Sequence, residues 1–177
     1  FNSLTVLLAI LSMPFAFTYP LMKRFTYWPQ LFLGITFNYG LILAWISIHE
    51  SIGLAPILFY FGAIFWTLGY DTIYGYQDIK DDEIIGVKST SIKFKENPKR
   101  VLYLFYFMTF LSLVGLGYLM KFSNIYFIFL IVPLLQFFVY QIGRLDTKSP
   151  INCLKLFKSN NFLGLIIFLN LLIGKIL

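Results

Sequence analysis

The chain has 177 residues, of which 59% are hydrophobic and 12% charged, against about 25% charged in an ordinary soluble domain. With a mean hydropathy of +0.78, this balance excludes a water-solvated globule and makes the lipid bilayer the solvent. The formal net charge of +6 does not indicate nucleic acid, because Lys and Arg fall between apolar runs, and the single Cys153 excludes an intramolecular disulfide.

A membrane-crossing helix needs ~20 largely apolar residues. Hydropathy and length predict six, at Asn2–Tyr19, Pro29–Ile48, Leu54–Tyr74, Val101–Met120, Asn124–Ile142 and Asn160–Leu177. The expected fold is therefore all-α, a polytopic transmembrane bundle forming one domain over residues 1–177. The ~10-residue alternating segments of a β-barrel are absent. Short joins such as Glu50–Gly53 and Lys121–Ser123 make the neighbouring spans antiparallel. No basic segment precedes the first apolar run at Phe1, so that run does not read as a signal peptide, and a fragment of a longer chain is expected.

Lys and Arg set the orientation. The loop at 20–28 carries two, that at 75–100 carries six, and that at 143–159 carries four, Arg144, Lys148, Lys155 and Lys158. The other side has only Lys121 and Lys175. The positive-inside rule then puts the three basic loops in the cytoplasm. Abundant Phe, Ile, Lys, Asn and Tyr suggest an AT-rich bacterial gene, hence a bacterial inner membrane.

Chemistry concentrates just after the third span, in Tyr70 to Thr90. Asp71, Asp78, Asp81, Asp82 and Glu83 fall within thirteen positions, out of eight acidic residues in the chain. Carboxylates at the mouth of a membrane helix are costly and mark function. On a continuous helix Asp71, Asp78 and Asp82 occupy a stripe ~40° wide, with Asp78 and Asp82 ~6 Å apart along the axis and Asp71 ~10 Å below Asp78. Asp81 points ~80° away from Asp71. Oxygen ligands without paired His or Cys favour magnesium or calcium over zinc, and magnesium is usually completed by water and substrate phosphates. Lys88, just beyond, suits a phosphate as a compact charge. The plainer alternative is a solvated acidic loop paired with Lys80, Lys88, Lys93 and Lys95.

The string Asp71-x-x-Tyr74-x-x-Gln77-Asp78-x-x-Asp81-Asp82-x-x-x-Gly86-Val87-Lys88-Ser89-Thr90 resembles the second aspartate-rich motif of the UbiA superfamily of intramembrane prenyltransferases. The block Tyr19-Pro20-Leu21-Met22-Lys23-Arg24-Phe25-Thr26-Tyr27-Trp28-Pro29-Gln30, continuing to Gly34, resembles the other signature of that superfamily's 4-hydroxybenzoate polyprenyltransferases. The resemblance implies a nine-helix fold of which these are the last six spans. It also implies transfer of a polyprenyl group from polyprenyl diphosphate to 4-hydroxybenzoate in ubiquinone biosynthesis, with Mg2+ as cofactor. Asp71, Asp78 and Asp82 become candidate metal ligands and catalytic residues. Tyr74 becomes a candidate stabiliser of an allylic cation, since aromatic faces attract cations by ~0.5–2 kcal/mol. Lys23, Arg24 and Lys88 become candidates for binding diphosphate or the benzoate carboxylate, Arg24 being the better carboxylate fork. The family's first aspartate-rich motif would precede these spans, and no Asn-Asp-x-x-Asp pattern occurs here.

Several alternatives stay open at this level. Lys23 and Arg24 also read as snorkelling anchors, and Tyr74 as belt material. The chain also reads as an inactive remnant, as a menaquinone or haem O branch member, or as an ion-coupled transporter, although transporter sites sit near the midplane. His49 reads as structural, Arg144 and Asp146 as a surface pair, and Asn38, Gln136, Gln141 and Asn170 as interhelical hydrogen-bonders.

Overall fold

The computed structural model describes residues 2–176, so Phe1 and the last residue of the expected sixth span, Leu177, lie outside it. Its regular structure is all helical, with six segments long and apolar enough to cross a membrane. Helix is the solution open to a lipid-facing segment, because each backbone N–H must find its acceptor within that segment.

The first span is α1 (Ser3–Thr18), a single turn at Tyr19–Leu21, and α2 (Met22–Phe25). Asn2 caps it by accepting from the Thr5 amide at 2.8 Å. The second is α3 (Pro29–His49), opened by a proline at its first position, where no N–H is required. The third is α4 (Leu54–Gly75). Two short helices follow, α5 (Ile79–Ile85) and α6 (Thr90–Lys93), before α7 (Pro98–Leu119).

The fifth span is interrupted. It runs as α8 (Asn124–Phe129), α9 (Ile131–Leu134) and a wide π-helical stretch at Leu135–Ile142. Pro133 cannot donate to the preceding turn, which accounts for the disturbance. The wider winding turns Phe137, Gln141 and Ile142 inward, each at most 1% exposed. The last helix, α10 (Pro150–Ile176), starts ten residues before the expected Asn160. Hydropathy excludes Lys155 and Lys158 from a span, but lysine is a good helix former and both ride exposed on the helix's first turns.

Helix α4 lies at the centre, packed on α3, α7 and α10. Close approach to α7 depends on small residues, as in other membrane helix pairs. A methyl group on Gly69 would run into the buried Tyr106 ring, and one on Gly62 would meet Ser112. Polar side chains complete the joins. Tyr106 donates to Gln141, whose amide donates to Asn160 Oδ1 at 2.8 Å, and Trp66 Nε1 donates to the same oxygen at 2.8 Å. Asn38 donates to Thr67 Oγ1 at 2.9 Å, Gln136 to Ser159 Oγ at 2.7 Å and Asn170 to the Tyr126 carbonyl at 3.2 Å. The four interhelical residues expected from sequence thus all cross between elements.

His49 packs on Trp45 at 4.1 Å between centroids, the rings tilted by 55°, a packing role. The expected Arg144–Asp146 pair does not form. Asp146 accepts from the Lys148 amide to close its own turn, while the Arg144 guanidinium lies over the Tyr140 ring.

Candidate active site

The helix expected to carry all the carboxylates is broken. Helix α4 ends at Gly75, where the chain leaves the apolar span, and its last turn tightens as the Tyr76 and Gln77 amides reach back only three residues, to Ile73 and Tyr74. Tyr76, 2% exposed, is drawn into the core at this point. Asp78 then takes the cap position of α5, with φ −112° and ψ 14°. The single stripe running from Asp71 to Asp82 is therefore corrected. Asp71 belongs to α4, and Asp78 and Asp82 to the first turn of α5, linked by the Asp82 amide donating to the Asp78 carbonyl at 2.9 Å. Helix α5 stops at Gly86, whose φ of +80° is the left-handed conformation that glycine adopts freely.

The bend nonetheless brings the carboxylates together. A cavity of about 140 Å³ opens at this end of the bundle. Asp71, Tyr74, Gly75, Asp78 and Asp82 form one side, and Tyr19, Lys23, Pro29 and Gln30 form the other. Five sequence candidates therefore meet here: Lys23, Asp71, Tyr74, Asp78 and Asp82. Arg24 and Lys88 do not line it. Arg24 is exposed on α2. The Lys88 ammonium donates to the Phe25 carbonyl at 3.3 Å and lies 5.6 Å from the Tyr27 ring centroid, while its amide donates to the Lys23 carbonyl at 2.8 Å. Lys88 thus ties the two motif segments together. Asp81 is exposed and outside the cavity.

The cavity's charge is not cancelled by neighbouring lysines. Among the described residues the one ion pair is Lys95 to Glu83, at 2.7 Å. Lys93 lies over Trp28, 4.6 Å from its centroid. Burial lifts the Asp82 carboxyl above its ordinary value, Lys23 pulls it back, and Asp78 and Asp81 push it further up. Three carboxylates against the single Lys23 leave the lining acidic. No three His, Cys, Asp or Glu side chains converge as a ready-made metal cage among the described residues.

What holds the two sides in register is a buried polar joint. Ser89, Thr90 and Ser91 are at most 2% exposed. Thr90 Oγ1 and Thr72 Oγ1 share a hydrogen bond of 2.7 Å, and Ser91 Oγ donates to the Thr72 carbonyl at 2.8 Å. Ser89 caps α6 by accepting from the Ile92 amide at 3.2 Å, and the Thr90 amide donates to Gln30 Oε1 at 3.0 Å. The segment after Lys88 is therefore structural. Tyr19 and Gln30 stand in the Tyr19–Gly34 block but carry no role of their own there; a further signal for Gln30 is an amide in the first turn of an otherwise apolar span.

The profile of the UbiA prenyltransferase family matches residues 1–172. The chain belongs to that family. Its UbiA relatives include a mitochondrial 4-hydroxybenzoate polyprenyltransferase of Bos taurus, 42% identical over 99% of this chain and 47% of the relative. The 4-hydroxybenzoate geranyltransferase 2 of Lithospermum erythrorhizon is 40% identical, over 99% of this chain and 58% of its own length. The 4-hydroxybenzoate octaprenyltransferase of Histophilus somni is 37% identical over 98% and 60%. The chain thus spans about half to three-fifths of these UbiA proteins. No solved structure matches it. Family and helices together make it an integral membrane protein.

Proposed function

We propose that the full-length protein transfers a polyprenyl group from polyprenyl diphosphate to the ring of 4-hydroxybenzoate, ortho to the hydroxyl, in ubiquinone biosynthesis. Mg2+ is the cofactor, and the protein works in a bacterial inner membrane with its motif loops in the cytoplasm. The observation that carries this is the cavity where Lys23 faces Asp71, Asp78 and Asp82 at the end of an apolar bundle. Relatives named for this acceptor, at about 40% identity, support it.

Asp78 and Asp82 would hold the cation, with Asp71 deeper on the same side. A bound divalent ion supplies neutralisation of the departing diphosphate. Lys23 faces that anion from the opposite side as a flexible point charge. The Tyr74 ring, which packs on Phe157 at 4.6 Å between centroids, would face an allylic cation. Beyond Phe157 lies a second cavity of about 360 Å³, lined by Phe37, Trp66, Tyr70 and Phe157 together with Asn38, Asn160 and Asn161. Its aromatic wall would give room for the isoprenoid tail.

Membranes carrying the full-length protein are to be incubated with a polyprenyl diphosphate and radiolabelled 4-hydroxybenzoate. Prenylated product is expected with Mg2+ and none with EDTA. No product in Mg2+ would sink the substrate assignment, and product in EDTA would sink the metal.

A further inference from the structure

Gln30 has no part in the acidic motif, yet it is the one neutral amide lining the acidic cavity. Its side chain is 4% exposed. The orientation is fixed by its partner: the Thr90 backbone N–H can only donate, so the atom 3.0 Å away must be Oε1. The amide nitrogen then carries two N–H donors, and no acceptor among the described residues takes them. It stands 3.8 Å from where a methyl group on Gly75 would lie, on the edge of the cavity that Gly75 helps to line. The two N–H donors thus stand at the cavity edge with the side chain held by its oxygen, where an arriving oxygen can accept from them.

We propose that Gln30 is a substrate-binding residue whose Nε2 donates to an anionic oxygen of the bound substrate. The inference rests on the prenyl-transfer reading, which has two anions to offer, the donor's diphosphate and the acceptor's carboxylate. A neutral donor is what the site can add at this point. A further lysine would pair with the aspartates and compete with the cation. The backbone grip from Thr90 holds the amide still, so less entropy is lost when the oxygen arrives.

The test uses the full-length protein in nanodiscs with Mg2+, measuring direct binding of inorganic pyrophosphate and of 4-hydroxybenzoate. Gln30→Glu keeps an oxygen for Thr90 and removes both donors, and Gln30→Met removes them without adding charge. Each variant should weaken one of the two ligands ~10-fold or more, the scale of a lost hydrogen bond to a charged group. The ligand that weakens identifies the oxygen. Thr90→Val breaks the same joint without touching the donors, and should lower the melting temperature while leaving both affinities unchanged. If neither ligand weakens in either Gln30 variant, or if Thr90→Val weakens them equally, Gln30 is a brace and the proposal fails. Because binding is read with pyrophosphate and 4-hydroxybenzoate separately, an enzyme that binds both but transfers no prenyl group would refute the reaction and leave the Gln30 assignment standing.

Discussion

At the residue scale, the cavity separates carboxylates that sequence order runs together. Asp81 and Asp82 are neighbours, but only Asp82 lines the cavity with Asp78, while Asp81 faces solvent. Asp78→Asn and Asp82→Asn in the full-length enzyme should each cut kcat by ~10²–10³, the cost of losing one preorganised group that stabilises developing charge. Asp81→Asn should cost less than threefold in the same assay. Comparable losses at Asp81 and Asp78 would show that α5 turns on binding substrate. Lysines divide the same way. Lys23→Met should raise the KM for the diphosphate, since Lys23 lines the cavity, and Lys88→Met should raise it less, because the Lys88 ammonium is spent on the Phe25 carbonyl.

At the element scale, α4 depends on its glycine face. Gly69→Ala drives a methyl group into the Tyr106 ring, which is fully buried and stacked on Phe137 at 4.5 Å between centroids. The ring cannot swing aside, so a loss of ~1–3 kcal/mol is expected, the usual cost of overpacking a core. Gly40→Ala on α3 meets nothing within 4 Å and should leave the melting temperature unchanged or slightly raised. What was readable from sequence follows from how local each signal is. Span positions came through because apolar length alone dictates them. The Asp78–Asp82 pair survived a wrong assumption of a continuous helix, because four-residue spacing is set within one turn of α5. The bend at Gly75–Asp78 was not readable, since it depends on Tyr76 finding a buried place in the folded bundle. The role of Gln30 was hidden for a similar reason, although the residue stands in the Tyr19–Gly34 block. Its partner, Thr90, is 60 residues away in sequence, and only the docked segment shows that its oxygen is occupied and its nitrogen free.

At the scale of the whole molecule, charge and chemistry gather at one end of the bundle. The loops at 20–28 and 75–100 supply the acidic cavity's polar lining except Tyr19, Asp71, Tyr74 and Gln30, which sit at the adjoining ends of the first span, α4 and α3. Among the twelve basic residues first assigned to loops, Lys99 and Arg100 ride on the start of the long helix α7, and Lys155 and Lys158 on that of α10. They stay at the same end, so the positive-inside argument keeps its twelve-to-two weight. Single cysteines report the orientation in right-side-out cells, with little background because the native Cys153 is buried. Glu96→Cys and Lys148→Cys occupy exposed positions at the basic end, and Ser51→Cys and Lys121→Cys occupy exposed positions at the other. An impermeant maleimide should label Ser51→Cys and Lys121→Cys in intact cells, and the first two only after lysis. Ser89 is unsuitable as a reporter because it is buried and caps α6. The reverse labelling would put the acidic cavity outside the cell, away from the cytoplasmic supply of a charged diphosphate that does not cross lipid, and the substrate assignment would fall with the orientation.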